Sequence, residues 1–166
     1  MSTVLHLFIA PACGAPMQSP ATAEALEEVG LVGDRYASAR SHPANGRSDP
    51  TRQVTLIESE NIEYFFEQTG YRLAMSDSRR NIVTAGIRLN DLCGRRFQIG
   101  TAMFEGIELC EPCNPLKRRT HPELVRVLRH RGGLRARIVR GGAVSVGDTV
   151  HVQPASLRDQ STFAFG

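Results

Sequence analysis

Short runs of β-branched and apolar residues, each stopped by Gly, Asn or Asp, recur along the chain and constrain its fold more than any other feature. Residues 54–58, 81–84, 101–109, 134–139 and 149–152 read this way, and the apolar opening from Val4 to Ala10 reads as a buried first strand. Gly141-Gly142 and Gly147-Asp148 predict tight turns between neighbouring strands. Only two helical patterns interrupt them. Ser59 is placed to cap a helix with Ile62, Phe65 and Phe66 on one face and Gly70 at its end. Thr120-His121-Pro122-Glu123 fits a capping box, followed by Leu124, Val127 and Leu128 as an apolar stripe and Gly132-Gly133 as a stop. So many short strands with so few helices predict a mainly β fold with two or three short helices, an α+β chain closed into a barrel, because closure removes exposed edges. Alternating βαβ architecture is not expected, since no helix separates most strand pairs.

A chain of 166 residues suits one hydrophobic core. The expectation is a single domain over residues 1–154 with a C-terminal tail over 155–166, and a long loop over 39–52, where Pro43, Asn45, Gly46, Asp49 and Pro50 gather. No segment approaches the roughly 18 apolar residues that span a bilayer, and the apolar start lacks the basic stretch of an export signal. No membrane role is expected. The four cysteines, Cys13, Cys93, Cys110 and Cys113, then read as thiols of a cytoplasmic protein rather than as a disulfide framework.

The net charge of +3 conceals an uneven distribution. Residues 117–140 hold nine basic side chains and one acid, Glu123, on an otherwise acidic chain. Such a run suits an anionic partner or a solvated basic face. It contains no Phe, Tyr or Trp to stack on bases, which argues against nucleic acid. Lys117 is the only lysine in the chain, leaving a single candidate for Schiff-base chemistry.

The sharpest local feature is Cys110-Glu111-Pro112-Cys113, directly after a predicted strand. A C-x-x-C pair serves as half a zinc site, a dithiol redox couple, a reactive thiol, or two structural cysteines. Zinc lacks a second ligand pair here. The dithiol couple needs a helix to activate its thiol, and no helical pattern is expected before Thr120. Lys117, Arg118 and Arg119 follow closely, and cations beside a thiolate favour a nucleophile, a sulfur carrier or a soft-metal ligand at Cys113. A second group is Arg79-Arg80-Asn81. Strand alternation would put Arg79 and Asn81 on one face to hold an oxyanion together, unless the arginines pair with Asp77 or Asp91. A third is Gly30-Leu31-Val32-Gly33-Asp34-Arg35, a tight loop in which Asp34 holds Arg35 or caps backbone amides. It matches no nucleotide-cradling pattern.

In order along the chain, these segments resemble the MOSC domain family, named for the C-terminal domain of molybdenum cofactor sulfurases. The resemblance runs from Val4 to Val152 and includes Val54-Thr55-Leu56-Ile57 with Glu60, Arg79 to Thr84, Gly94-Arg95-Arg96-Phe97 with Gly100, the C-x-x-C segment, and Gly147-Asp148. It implies a MOSC-type β-barrel that binds the molybdenum cofactor, a phosphate-bearing pterin with a dithiolene-bound metal. Cys113 matches the family cysteine that ligates molybdenum or carries sulfur. Arg79 and Asn81 match cofactor-pocket residues of amidoxime-reducing relatives, which have proline where this chain has Arg80. The expected cofactor-binding set is therefore Arg35, Arg79, Arg80, Asn81, Lys117 and Arg118, with Cys113 as the catalytic and metal-binding residue. Relatives carry sulfur or reduce N-hydroxylated bases, which implies a small-molecule substrate together with a sulfur-donor or electron-donor protein. The lone lysine argues against pyridoxal phosphate. The remaining expectations from the residues alone are a polyanion-binding module and a dithiol redox protein.

Overall fold

Adjacent residues along the strands belong to opposite sides of one curved sheet, and this alternation organises the protein. The computed structural model describes residues 1–38 and 49–155. Ten strands are present among them: β1 Thr3–Leu7, β2 Thr22–Leu26, β3 Gly30–Leu31, β4 Val54–Glu58, β5 Ile82–Ala85, β6 Arg96–Ile99, β7 Ala102–Leu109, β8 Leu134–Arg140, β9 Gly142–Ser145 and β10 Val150–Val152. Seven form a sheet in the order β1-β5-β4-β8-β7-β6-β10, and β3-β2-β9 form a second. The large sheet curls until its edges meet. Thr3 bridges Thr149, and Val150 N–H donates to Ser2 O at 3.1 Å. The result is the expected barrel, nearly closed.

The period of two decides which residues fill it. Leu7, Leu56 and Ile82 face inward with Phe97, Phe104 and Ile138. Their neighbours Phe8, Ile57 and Val83 face outward and form a second core beneath the helices. Those helices are α1 Ser59–Thr69, α2 Asn114–Arg119 and α3 Leu124–Val127. α1 contributes Ile62 and Phe65, while Leu116, Leu124, Val127 and Leu128 come from α2, α3 and its end. β4 and β5 pair parallel around α1, the one βαβ unit among the described residues. Because both faces of β4 are covered, all five of its residues are buried.

Several local expectations change. The helix predicted after Thr120 is α3, and a separate helix that the sequence pattern does not announce, α2, precedes it with Cys113 as its cap residue and Asn114 in its first turn. Pro115 does not stop it, because an amide in the first turn has no helical partner to lose. The capping box at Thr120 is absent: Thr120 Oγ1 donates to Leu116 O at 2.8 Å and closes α2 instead. Ser59 is the first helical residue rather than the cap, a place taken by Glu58 with no side-chain cap bond. Gly142 belongs to β9 rather than to the turn before it. Of the predicted loop and tail, residues 39–48 and 156–166 lie outside the described residues.

Glu58 sits at the joint between β4 and α1, 7% exposed. It accepts from Leu89 N–H at 3.2 Å and from the Asn61 side-chain amide. Burial, and secondarily Glu60, push its carboxyl from an ordinary 4.5 up to about 7 against those hydrogen bonds. Between these two values the native state holds a proton that the unfolded chain has released, so stability falls as pH rises through this window. The expected loss is about 1–2 kcal/mol after solvent screening. Urea midpoints from pH 4.5 to 8 should show this slope in the wild type and a flatter one in Glu58→Gln.

Gly133 has φ of +107°, and a Cβ there would strike the Leu56 carbonyl. Gly133→Ala should lower the unfolding free energy by roughly 2 kcal/mol or more, with an unchanged denaturant slope.

Candidate functional site

The segment that leaves β7 carries the C-x-x-C pair, and Arg80 fixes its position. The Arg80 side chain is buried, and its Nε donates to Gly132 O at 2.9 Å. Its Nη2 donates to Cys110 O at 3.1 Å and to Glu111 O at 3.5 Å, and its Nη1 to Ser78 O at 3.4 Å. Gly132 packs against Cys110 O and the Pro112 ring from the other side, leaving no room for a Cβ. Cys110 is therefore locked into the interior at 1% exposure, whereas Cys113 is exposed at the start of α2. Cys113 O accepts the Lys117 amide at 2.9 Å, so the thiol-bearing residue is tied to the helix that carries Lys117, Arg118 and Arg119. α2 thus supplies a helix next to the C-x-x-C pair, where the sequence pattern announces none. The pairing runs opposite to a helix-activated dithiol even so, since the buried cysteine comes first and the exposed one begins the helix.

A basic cluster forms next to the loop that follows β1. Arg79 has φ of +57°, so it is not extended, and strand alternation does not apply to it. Its Nη1 donates to Ala15 O at 2.8 Å, while Nη2 is buried with no hydrogen-bond partner among the described residues. Burial first, then the charges of Arg35 and Arg119, push the Arg79 guanidinium below its ordinary value, with Cys13 and Asp34 acting the other way. Arg119 reaches the same loop, filling the space a Cβ on Gly14 would occupy. A cleft of about 230 Å³ opens between Met17, Ser76, Arg79 and Arg119. Asp34, 2% exposed, fastens this corner. It accepts from Ala10 N–H at 2.9 Å and Tyr36 N–H at 3.4 Å, and its carboxylate lies 3.5 Å from Arg35 Nη1. It thus both holds Arg35 and caps backbone amides.

Asn81 does not join Arg79. Its Oδ1 accepts from Thr55 N–H at 3.0 Å and Thr55 Oγ1 at 3.2 Å, and its Nδ2 donates to Phe8 O at 3.0 Å. Fully buried, it braces β1, β4 and β5 where they enter the sheet. Asp77 and Asp91 are not partners of the two arginines either: Asp77 accepts from Ala74 N–H, and Asp91 pairs with Arg88.

The basic run over 117–140 does not make one face. Arg126 pairs with Glu123, Arg135 lies 3.8 Å from Glu108, and Arg137 bridges Glu28 and Glu105 at 2.7 and 3.0 Å. Arg131 stacks on the Tyr64 ring at 3.9 Å. Its remaining concentration of charge is on α2. Among the described residues, no three His, Cys, Asp or Glu side chains gather into a metal-holding group. Sequence reasoning passed over Cys13, whose signal was a Pro11-to-Pro16 loop directly after an apolar strand.

The family model of the MOSC domain matches residues 42–151, well over half of the chain. The chain belongs to the MOSC domain family. Among solved structures, this MOSC domain is similar to the YuaD protein from Bacillus subtilis, with a TM-score of 0.76 and 19% identity over 94% of this chain and 98% of that one. It is similar also to YiiM from Geobacillus stearothermophilus, with a TM-score of 0.71 and 14% identity over 95% of this chain and 77% of that one. YiiM from Escherichia coli follows at 0.65 and 16% identity, over 93% and 71%. At such identities the likeness is one of fold. No curated protein matches this sequence significantly.

Arg80 in this MOSC domain is expected to act as a structural clamp. Arg80→Ala should strip the bonds to Cys110 and Glu111 and destabilise the fold by about 2–4 kcal/mol. Maleimide labelling of Cys110, slow in the wild type, should accelerate, while that of exposed Cys113 stays fast.

Proposed function

We propose that this MOSC domain binds the molybdenum cofactor, with Cys113 as the protein ligand to the metal and Arg35, Arg79 and Arg119 as the receptor for its anionic end. The observation that carries this reading is the buried, partnerless Nη2 of Arg79 in a cluster with two further arginines. A desolvated guanidinium nitrogen with no acceptor is costly, and an oxyanion completes it with a charge-assisted hydrogen bond. One exposed cysteine suffices for a metal that arrives already held by a dithiolene. A thiolate is the matching soft donor. Lys117 and Arg118 add positive charge on the helix that Cys113 begins, beside the proposed metal ligand.

When bound, the cofactor supplies either a two-electron redox centre for N-hydroxylated compounds or a carrier for sulfur. The chain's own residues bind and orient. Asp34 holds Arg35, the Ala15 carbonyl aims Arg79, and Arg80 and Asn81 keep the two approaching segments fixed from behind. This division of labour gives Arg80 and Asn81 supporting roles rather than contacts. The reductase reading requires a separate electron-donor protein, the carrier reading a sulfur donor, and both suit the reducing cytoplasm. A polyanion module is the weaker alternative, since Arg135 and Arg137 of β8 are paired with acids.

Elemental and mass analysis after expression in a cofactor-producing host tests the proposal. Wild-type protein should carry molybdenum and pterin together. Cys113→Ser should lose the metal, and Arg79→Ala should weaken retention by about tenfold or more, the value of one charged hydrogen bond. Wild-type protein without molybdenum or pterin would overturn it.

A further inference from the structure

A sizeable cavity lies away from the cysteine. It encloses about 580 Å³, within the range of small-molecule sites, and opens beside the start of α1. Its wall comes from three segments: Glu58, Glu60 and Asn61 of the β4–α1 joint, Gly86 to Asn90 after β5, and Arg129 to Arg131 before β8. Arg79 precedes β5 and this cavity follows it, so the two sites stand at opposite ends of that strand, itself about 13 Å long.

The floor carries a chemical imbalance. Glu58 is 93% buried in residue terms, being 7% exposed, yet both of its hydrogen bonds come from neutral donors. Among the described residues no cation lies within ion-pair distance of it. Two of the three arginines of the wall have other partners: Arg131 donates to Asn61 Oδ1 at 3.3 Å and stacks on Tyr64, and Arg88 lies 3.6 Å from Asp91, while Arg129 is exposed. A buried carboxylate without a cation is costly, and each of its oxygens retains a second lone pair. Glu60 adds a second carboxylate at the lip, where it accepts from Gly86 N–H at 2.8 Å. Ile87 supplies an apolar wall.

The wall opposite is held firmly. His130 is a non-glycine residue at φ of +62°, a conformation that persists only where its surroundings impose it. Its amide and ring both engage Glu111, at 3.0 and 3.2 Å, and its carbonyl accepts from Asn90 Nδ2 at 2.9 Å. Asn90 itself lines the cavity.

We propose that this cavity is a second binding site, for a small organic cation of the amidinium or guanidinium class, with the Glu58 carboxylate as its counter-ion. Two parallel N–H donors match a carboxylate in a way a single ammonium does not, and a flat cation suits the space beside Ile87. The groups facing Glu58 are Glu60 from α1, Arg88 from the segment after β5, and Arg129, His130 and Arg131 from the segment before β8.

The test is an NMR titration of the full chain with methylguanidinium, with acetamide as the uncharged control. Saturable shifts of the Gly86, Asn90 and His130 amides are expected with methylguanidinium alone. They should weaken about tenfold or more in Glu58→Gln and persist in Arg79→Ala, which separates this site from the cofactor site. Wild-type affinity should also fall below about pH 7, as Glu58 takes up its proton. His130→Asn, which suits the left-handed backbone, should keep that loss, excluding the imidazole as its source. Absence of saturable shifts, equal binding by acetamide, or unchanged affinity in a folded Glu58→Gln would overturn the proposal. Should Glu58→Gln fail to fold, a pH-independent affinity in His130→Asn does the same.

Discussion

One guanidinium holds the functional end of this protein together. Arg80 leaves the chain just before β5 and is bonded to carbonyls of three separate segments: its own turn, the C-x-x-C stretch after β7, and the approach to β8. None of those carbonyls has a strand partner at that point, because the ladders have ended and the loops have not yet turned away. Five fixed donors on a flat group can satisfy them at once, whereas a lysine presents one point charge. The glycine at 132 follows from this arrangement, since the backbones it draws together leave no space for a side chain there.

Polar groups inside this barrel therefore do the work of alignment, and exposed ones are left for chemistry. Asn81 joins three strands through one amide, and Asp34 joins the first strand's exit to the 30–36 turn. Arg79 is the exception. It is held at one nitrogen and left bare at another, amid like charges. A site that spends stability in this way invites an anion, which is the physical core of the cofactor proposal.

Much of the fold was legible. The β-branched runs at 54–58 and 134–139 became strands because Val, Ile and Leu there alternate or are covered on both faces. β2 and β9 escaped notice because their inward residues, Ala23, Ala25 and Val144, are few and small, and Gly142 reads as a turn residue. The start of α2 was hidden by Pro115, a residue that stops helices in their interior and begins them at their first turn. Among candidate site residues, Cys113 close to a run of three cations was apparent from spacing, although the helix that carries them was not. The separation of Arg79 from Asn81 was not, since it depends on a left-handed arginine that no pattern announces. Nor could the Glu58 cavity be read, because it is assembled from three segments distant in sequence.

The seam where the barrel closes has a consequence for how the chain reaches this state. Thr3 meets Thr149, so sealing the sheet requires joining residues at opposite ends of the described chain. The β6–β7 turn, by contrast, spans only Gly100 and Thr101. Entropy of loop closure grows with the chain enclosed, so the hairpins form at low cost and the seam at high cost. Assembly is accordingly favoured from the middle of the sheet outward, and the first strand docks onto a surface already made by the rest. That order places the β1 loop, with Cys13 and the carbonyl that aims Arg79, among the last parts of the molecule to become fixed. The proposed anion site thus depends on the same docking that closes the barrel.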